Sequence, residues 1–377
     1  MGKGAAFDLV GSPQVEEVVV ADINKGRVDD LAGWLNSPKA KPERADAHNP
    51  EEMVRLLKGC DAAISCLPYR FNLELAKCAI RARTHLCDLG GNVEVVKKEL
   101  ALTEEAEEAG VTIIPDCGLA PGMVSILVAL GVERLKEVDE VYIRVGGLPQ
   151  NPQPPLNYML LFSVSGLINE YIEPCLILRD GQITQVEPLT EVEEIRFPPP
   201  WGRLEAFQTS GGTSTLPLTY QGKISELDYK TIRYPGHCRI MKPMIDLGLA
   251  SSEAVLVDGQ KVIPRALLEA LLLLHLPTSG PDVVLLQVTL CGERKGLSYQ
   301  MIDLYDYQTG LSAMMRTTAF PASIIAQMLG SGRIRQKGVI PQELSVPPGD
   351  FWEELEKRGI RVEERWDGRT SGNIKKF

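Results

Sequence analysis

Asp22, Asp88, Asp116 and His237 each close or follow an apolar, strand-like run, the position from which a side chain can grip a ligand or move a proton. A carboxylate at the end of a buried strand can accept hydrogen bonds from both ribose hydroxyls of an adenosine and repel a 2′-phosphate. Asp22 stands so after Glu17-Val18-Val19-Val20-Ala21, and Met1-Gly2-Lys3-Gly4-Ala5-Ala6 opens a small-residue helix before it. Their separation of about 20 residues matches the second half of a dinucleotide fingerprint. Gly2 and Lys3 join Asp22 as cofactor-binding candidates, and NAD is expected ahead of NADP. The alternative for Asp22 is a cap on the helix from Lys25. The fingerprint's leading strand and first two glycines have no counterpart. The expectation is a reading frame that continues upstream of Met1; the alternative is partial loss of a cofactor site.

Three further turns belong with these residues. Ser65-Cys66-Leu67-Pro68 ends a strand that would lie beside the pyrophosphate and nicotinamide ribose, where small residues and a proline admit close backbone approach; an ordinary strand-to-helix turn has the same composition. Asp88-Leu89-Gly90-Gly91-Asn92 sets an acid before two glycines, which suits backbone contact with a ligand better than a structural turn. In Asp116-Cys117-Gly118-Leu119-Ala120-Pro121-Gly122, Pro121 sits near the first position of a helix. That stretch is either a linker with helix-start chemistry or a loop that crosses a cleft and closes over the nicotinamide.

Later in the chain, Ser210-Gly211-Gly212-Thr213-Ser214-Thr215 is a glycine-rich hydroxyl cluster able to hold a carboxylate. Thr231-Ile232-Arg233-Tyr234-Pro235-Gly236-His237 places an arginine, a tyrosine and a histidine at a strand end before a turn. Arg233 can take a carboxylate bidentately. His237 is one of four histidines, and its ordinary pKa suits proton transfer. The eight cysteines show no C-x-x-C and no paired Cys/His spacing, so no metal site is expected and the thiols are read as reduced.

These residues need a scaffold of alternating short strands and helices. Residues 2–120 supply it: a helix start at Ala5–Leu9, strand Glu17–Ala21, helices Lys25–Leu35 and Pro50–Leu57 (Asn49 as cap), strand Cys60–Cys66, helix Asn72–Ala82, strand Thr84–Asp88, helix Val93–Ala109 and strand Val111–Pro115. Apolar strands alternating with helices predict a doubly wound parallel sheet whose ligands sit beyond the strands' carboxyl ends. From Val138 the pattern changes to half-exposed strands at Val138–Gly147, Cys175–Leu178, Val192–Phe197, Lys230–Tyr234 and the pair Val283–Leu290 and Leu297–Tyr305. Helices are expected at Pro155–Asn169, Pro264–Leu274, Ala319–Leu329 and Asp350–Arg358. The expected division is a Rossmann-type domain over 1–122, an α/β substrate and dimerisation domain on a mixed sheet over 123–318, and C-terminal helices over 319–377 packing back on the first domain. The polar last ten residues are expected to fray.

A net charge of −10 disfavours nucleic acid or an anionic membrane as partner. No apolar run reaches the ~18 residues of a membrane span, and no export signal precedes the first strand. A cytoplasmic enzyme for a small molecule is the expected class.

In their order along the chain these segments resemble the saccharopine dehydrogenase-like family, most closely its lysine 6-dehydrogenase branch. The matching pieces are Gly2–Val10, Asp22, Ser65–Pro68, Asp88–Asn92, Gly118–Gly122 and Arg233–His237. Saccharopine reductases commonly carry Gly-Leu-Asp-Pro-Gly at the cleft loop; Ala120 replaces that aspartate here, which suits the lysine-oxidising branch. The resemblance implies a homodimer or larger homo-oligomer, with Gly2 as the third fingerprint glycine. It implies NAD-dependent oxidation of the ε-amine carbon of L-lysine. The resulting imine hydrolyses to 2-aminoadipate 6-semialdehyde, which can cyclise, with release of ammonia. The amine must be neutral when hydride departs, yet free lysine is protonated at about pH 7, so a base or desolvation must act. His237 and Asp116 are the candidate proton acceptors. Arg233 with Thr213 and Ser214 would hold the α-carboxylate beside Tyr234, and Tyr158, expected on the helix after the proline-rich loop, would line the pocket. The competing readings are a saccharopine or carboxynorspermidine-type reductase and a cofactor-free assembly subunit.

Overall fold

The computed structural model describes residues 1–368. They form two compact units: Met1–Leu130 with Met315–Ile360, and Gly131–Met314 with the segment from Arg361.

In the first unit, parallel strands lie in the order Gly338–Val339, Thr112–Ile114, His85–Asp88, Ala62–Ser65. A second parallel pair joins Val18–Asp22 to Ala40–Arg44. Ala62–Ser65 and Val18–Asp22 each pair on one side only. Asparagine opens three of the helices because its side-chain oxygen satisfies a first-turn amide. Asn24 accepts from Arg27, Asn49 from Glu52, and Asn92 from Glu94 and Val95. The single helix expected over Val93–Ala109 is two, Val93–Leu100 and Thr103–Ala109. Leu102 turns into the core between them, and Thr103 Oγ1 donates to the Leu100 carbonyl at 2.7 Å. Ala40–Arg44 escaped the sequence reading because it is charged and contains Pro42, marks of an edge strand. The helices pack on the sheet through Leu75, Ala76, Leu86, Ala106 and Ile113. Asp8 of helix Gly2–Gly11 accepts from Ser323 Oγ at 2.6 Å and pairs with Arg358 Nε at 2.7 Å, which ties residues from the chain's end into this unit.

The second unit is built on a mixed sheet in the order Val362–Asp367, Gly296–Leu304, Asp282–Cys291, Glu140–Pro149, Glu226–Arg233, Gly202–Gln208, Glu193–Phe197. Only Glu226–Arg233 with Glu140–Pro149 is parallel along this path. The hairpin Cys175–Arg179 and Gln182–Val186 branches from Glu226–Arg233. The expected pairing of Val283–Leu290 with Leu297–Tyr305 is an antiparallel ladder, Val283 opposite Leu304 and Leu290 opposite Leu297. The helix expected over Pro155–Asn169 starts only at Val164, where Ser163 Oγ accepts the Gly166 N–H. Pro154 and Pro155 lack the N–H a helix needs, and Asn157 has φ 50°. Leu156, Tyr158 and Leu160 are therefore buried from a non-helical segment, which corrects the placement of Tyr158 on a helix. The expectation of a frayed tail falls mostly on 369–377, outside the described residues. The expected fold class, a parallel Rossmann-like sheet with a second mixed-sheet domain, is the observed one.

Candidate active site

Along one edge of the first unit's parallel sheet the strand ends bring Ser65, Asp88 and the Asp116 turn together. Ser65 Oγ donates to Asn72 Oδ1 at 2.9 Å, and Asn72 Nδ2 donates to Asp88 Oδ1 at 2.9 Å. The same oxygen accepts the Gly90 N–H at 2.6 Å and the Asp116 N–H at 3.3 Å. The Cys117 N–H donates to the Asp88 carbonyl at 2.7 Å. Three donors on one oxygen mark Asp88 as the ionised partner of its neighbour Glu99. Glu99, on helix Val93–Leu100, is fully buried, and among the described residues neither of its oxygens meets an ordinary donor. Burial first, then the charges of Asp88 and Asp116, push its carboxyl well above the usual range. Burial also raises Asp88, opposed by the amides of Asp116 and Gly90 and by the hydrogen bond with Glu99. Two buried carboxyls side by side favour sharing one proton, and the larger rise places it on Glu99.

The residues expected to hold a nucleotide lie in the same unit. Helix Gly2–Gly11 has no side-chain cap at its N-terminus, and a Cβ on Gly2 would lie 3.7 Å from Cys66 Cβ, so the helix start rests on the end of strand Ala62–Ser65. An uncapped helix start over a strand end fits a pyrophosphate, which would satisfy its free amides. Asp22 is partly exposed and accepts the Asn24 N–H at 2.8 Å. The Lys3 ammonium lies 3.9 Å over the Trp34 ring, against an aromatic face. Cys66 is pushed up to about 11 by burial and stays a thiol, Leu67 is half-buried and Pro68 is exposed.

Gly90 has φ +68°, and a Cβ there would fall 1.6 Å from Asp116 Oδ1, so its bareness makes room for that carboxylate. Gly91 is exposed beside the Tyr69 ring. Gly118 and Leu119 are buried, and the Met123 N–H donates to the Gly118 carbonyl at 2.8 Å. The stretch is built as a helix entry.

In the second unit Arg233 ends strand Glu226–Arg233 and is 3% exposed. Its Nε donates to Tyr171 Oη at 3.2 Å, its Nη1 to the Ile232 carbonyl at 3.0 Å, and its guanidinium lies 4.7 Å over the Tyr158 ring. Nη2 is 3.9 Å from Glu170 Oε2. Tyr171 Oη is 3.0 Å from His237 Nε2, and His237 Nδ1 is 3.1 Å from the Leu156 carbonyl. A carbonyl only accepts, so Nδ1 carries the hydrogen and Nε2 accepts from Tyr171. Burial, then Arg233, pushes His237 down to about 3. His237, an expected proton acceptor, opens helix His237–Asp246 in the interior with both ring nitrogens engaged, one by Tyr171 and one by the Leu156 carbonyl. Thr213 Oγ1 donates to the Leu176 carbonyl at 2.9 Å and Tyr234 Oη to the Pro149 carbonyl at 2.9 Å, so both hydroxyl protons are committed to backbone. Ser214, next to Thr213 in the chain, is buried too.

Glu170 was missed. Burial pushes its carboxyl up to about 7 against the pull of Arg233. The available signal was the one charged residue, a glutamate between Asn169 and Tyr171, on helix Val164–Ile172. Among the described residues, no group of three or more His, Cys, Asp or Glu could hold a metal, no disulfide forms, and no helix is long and apolar enough to cross a membrane.

Comparison with known proteins adds the following. Residues 1–114 match the family model of the saccharopine dehydrogenase NADP binding domain, and residues 118–360 that of the saccharopine dehydrogenase C-terminal domain. The chain is 24% identical over 419 residues to the mitochondrial alpha-aminoadipic semialdehyde synthase of Bos taurus, covering 91% of this chain and 44% of that protein. It therefore spans less than half of that relative's length. It is 22% identical over 398 residues to the carboxyaminopropylagmatine dehydrogenase of a Synechocystis strain, covering 98% of this chain and 96% of that one. The solved apo saccharopine dehydrogenase (L-Glu forming) of Saccharomyces cerevisiae superimposes with a TM-score of 0.78 at 19% identity, over 97% of this chain and 98% of that chain, which establishes a shared fold.

Proposed function

The chain belongs to the saccharopine dehydrogenase family, and from that premise we propose that it oxidises the ε-amine carbon of L-lysine with NAD. L-Lysine, NAD and water give 2-aminoadipate 6-semialdehyde, NADH, ammonium and one proton. The observation that carries the reading is Arg233, a buried guanidinium whose Nη2 makes no hydrogen bond among the described residues, with Glu170 Oε2 3.9 Å away, and which is suited to an amino-acid carboxylate. When bound, the cofactor supplies the hydride acceptor. The uncapped start of helix Gly2–Gly11 would hold its pyrophosphate and Asp22 its adenosine ribose, which favours NAD over NADP. Asp88 and Gly90 fix the turn that positions Asp116. Asp116 is the proposed acceptor of the amine proton, while His237 and Tyr158 keep Arg233 and Tyr171 in place.

We place the enzyme in the cytoplasm as a homodimer or larger homo-oligomer. A second reading, a dehydrogenase of an N-substituted amine acting with NADP, is favoured by the match over nearly its whole length to the Synechocystis enzyme and by the NADP-named domain. Steady-state assays with L-lysine, L-saccharopine and each nucleotide separate the two. Lysine-dependent NADH with ammonium release supports the first, and saccharopine-dependent NADPH the second. Arg233→Lys, which keeps the charge and loses the fork, should raise KM by about 10-fold or more.

A further inference from the structure

We propose that Glu170 and Arg233 form a clamp for the zwitterionic head of an α-amino acid, Arg233 taking the carboxylate and Glu170 the α-ammonium. The proposal rests on the reading above only in that the substrate is an amino acid. Of the Arg233 fork, Nε is spent on Tyr171 and Nη1 on the Ile232 carbonyl, while Nη2 makes no hydrogen bond among the described residues. A buried guanidinium left so is costly unless a ligand completes it. Glu170 does not close on it. Its carboxylate stops 3.9 Å away and makes no side-chain hydrogen bond, with 29% of the side chain exposed against 4% for Arg233. A guanidinium and a carboxyl thus stand side by side, unclosed, with the carboxyl side chain 29% exposed. An α-amino acid presents the complementary pair, a carboxylate and an ammonium on one carbon.

The walls suit a small head group. The Ser210 N–H donates to the Glu170 carbonyl at 3.0 Å, which brings the glycine-rich turn alongside. A Cβ on Gly212 would fall 2.4 Å from the Tyr229 ring, so that turn lies flat on the aromatic. The groups facing Glu170 are Arg233 and Tyr229 from strand Glu226–Arg233, Tyr158 from the preceding segment, Tyr171 from its own helix and Cys175 from the neighbouring strand. Of these, Arg233 alone is charged at neutral pH. Burial pushes the Glu170 carboxyl up to about 7, so it holds a proton more readily than an exposed glutamate does. An arriving ammonium favours the carboxylate and expels that proton. In lysine the oxidised ε-carbon is remote from the α-carbon, so Glu170 selects the head group and leaves proton removal at the ε-amine to another side chain.

The test is calorimetric titration of the full chain with L-lysine, 6-aminohexanoate (no α-ammonium), L-2-aminoadipate and L-glutamate, in two buffers of different ionisation enthalpy. The clamp requires L-lysine to bind about 10- to 100-fold more tightly than 6-aminohexanoate, the range for a charge-assisted hydrogen bond, with net proton release near neutral pH. Glu170→Gln should abolish both the discrimination and the proton release. Equal binding of L-lysine and 6-aminohexanoate by the unsubstituted chain, absence of proton release, or failure of all three α-amino acids to bind would each overturn it, and none needs a variant to fold. NADH formation is scored separately. Discriminating binding without lysine turnover refutes the oxidation reading and keeps the clamp, whereas turnover without discrimination does the reverse.

Discussion

Replacing Glu99 by glutamine is the most demanding perturbation of the first unit. Glu99 is raised above its ordinary value of 4.5 by burial and by the charges of Asp88 and Asp116. The folded chain therefore keeps a proton that the unfolded chain gives up at neutral pH. The stability contributed by that proton is complete below the unfolded value and is lost as pH rises toward the folded one. Each pH unit in that window costs about 1.4 kcal/mol, so the wild type should lose up to about 2.7 kcal/mol between about pH 6 and about pH 8 through this group. A glutamine amide can donate to the Asp88 carboxylate as a protonated carboxyl would, and it has no proton to lose. Glu99→Gln should flatten the profile in this window and leave the variant relatively more stable at the alkaline end. Urea unfolding as a function of pH, with amide exchange of Leu86 and Ile113 reporting the first unit, measures it. Parallel profiles for the two proteins would refute the shared proton.

Asp22→Asn removes the charge that opposes a 2′-phosphate, so the ratio of NADP to NAD affinity should rise by about 10-fold in fluorescence titrations. His237→Gln can still donate to the Leu156 carbonyl and accept from Tyr171. It should keep turnover within about 10-fold, whereas a loss of ~10²-fold or more would return proton transfer to His237. In strand Val18–Asp22 the Val18 amide donates to the Lys39 carbonyl. Parallel pairing with Ala40–Arg44 uses alternate amides, so Val19 and Ala21 should exchange hydrogen faster than Val18 and Val20; uniform protection would mean a partner covers the free edge.

The alternating scaffold was legible because its periods and caps are local. Lys25–Leu35 and Pro50–Leu57 run between the bounds their asparagine caps set, and the long ladder of Asp282–Cys291 with Gly296–Leu304 announced itself by apolar runs. Ala40–Arg44 was hidden by charge and proline, and the break at Leu102 by a helical period that continues through it. In the candidate site, residue type pointed to Arg233, Asp88 and Asp116. Sequence cannot show burial, and burial changes their chemistry: it leaves His237 a neutral hydrogen-bonding strut, binds the Thr213 and Tyr234 hydroxyls to backbone, and raises Glu170 and Glu99. Glu170 and Arg233 are brought together only by the tertiary fold, so no short motif joins them.

The most direct measurement is the absorbance of reduced nicotinamide on mixing the purified chain with L-lysine and NAD, with ammonium assayed in parallel. The account requires NADH and ammonium to form in equal amounts and to depend on lysine. Absence of both with L-lysine, under conditions where L-saccharopine drives NADPH formation, would contradict it.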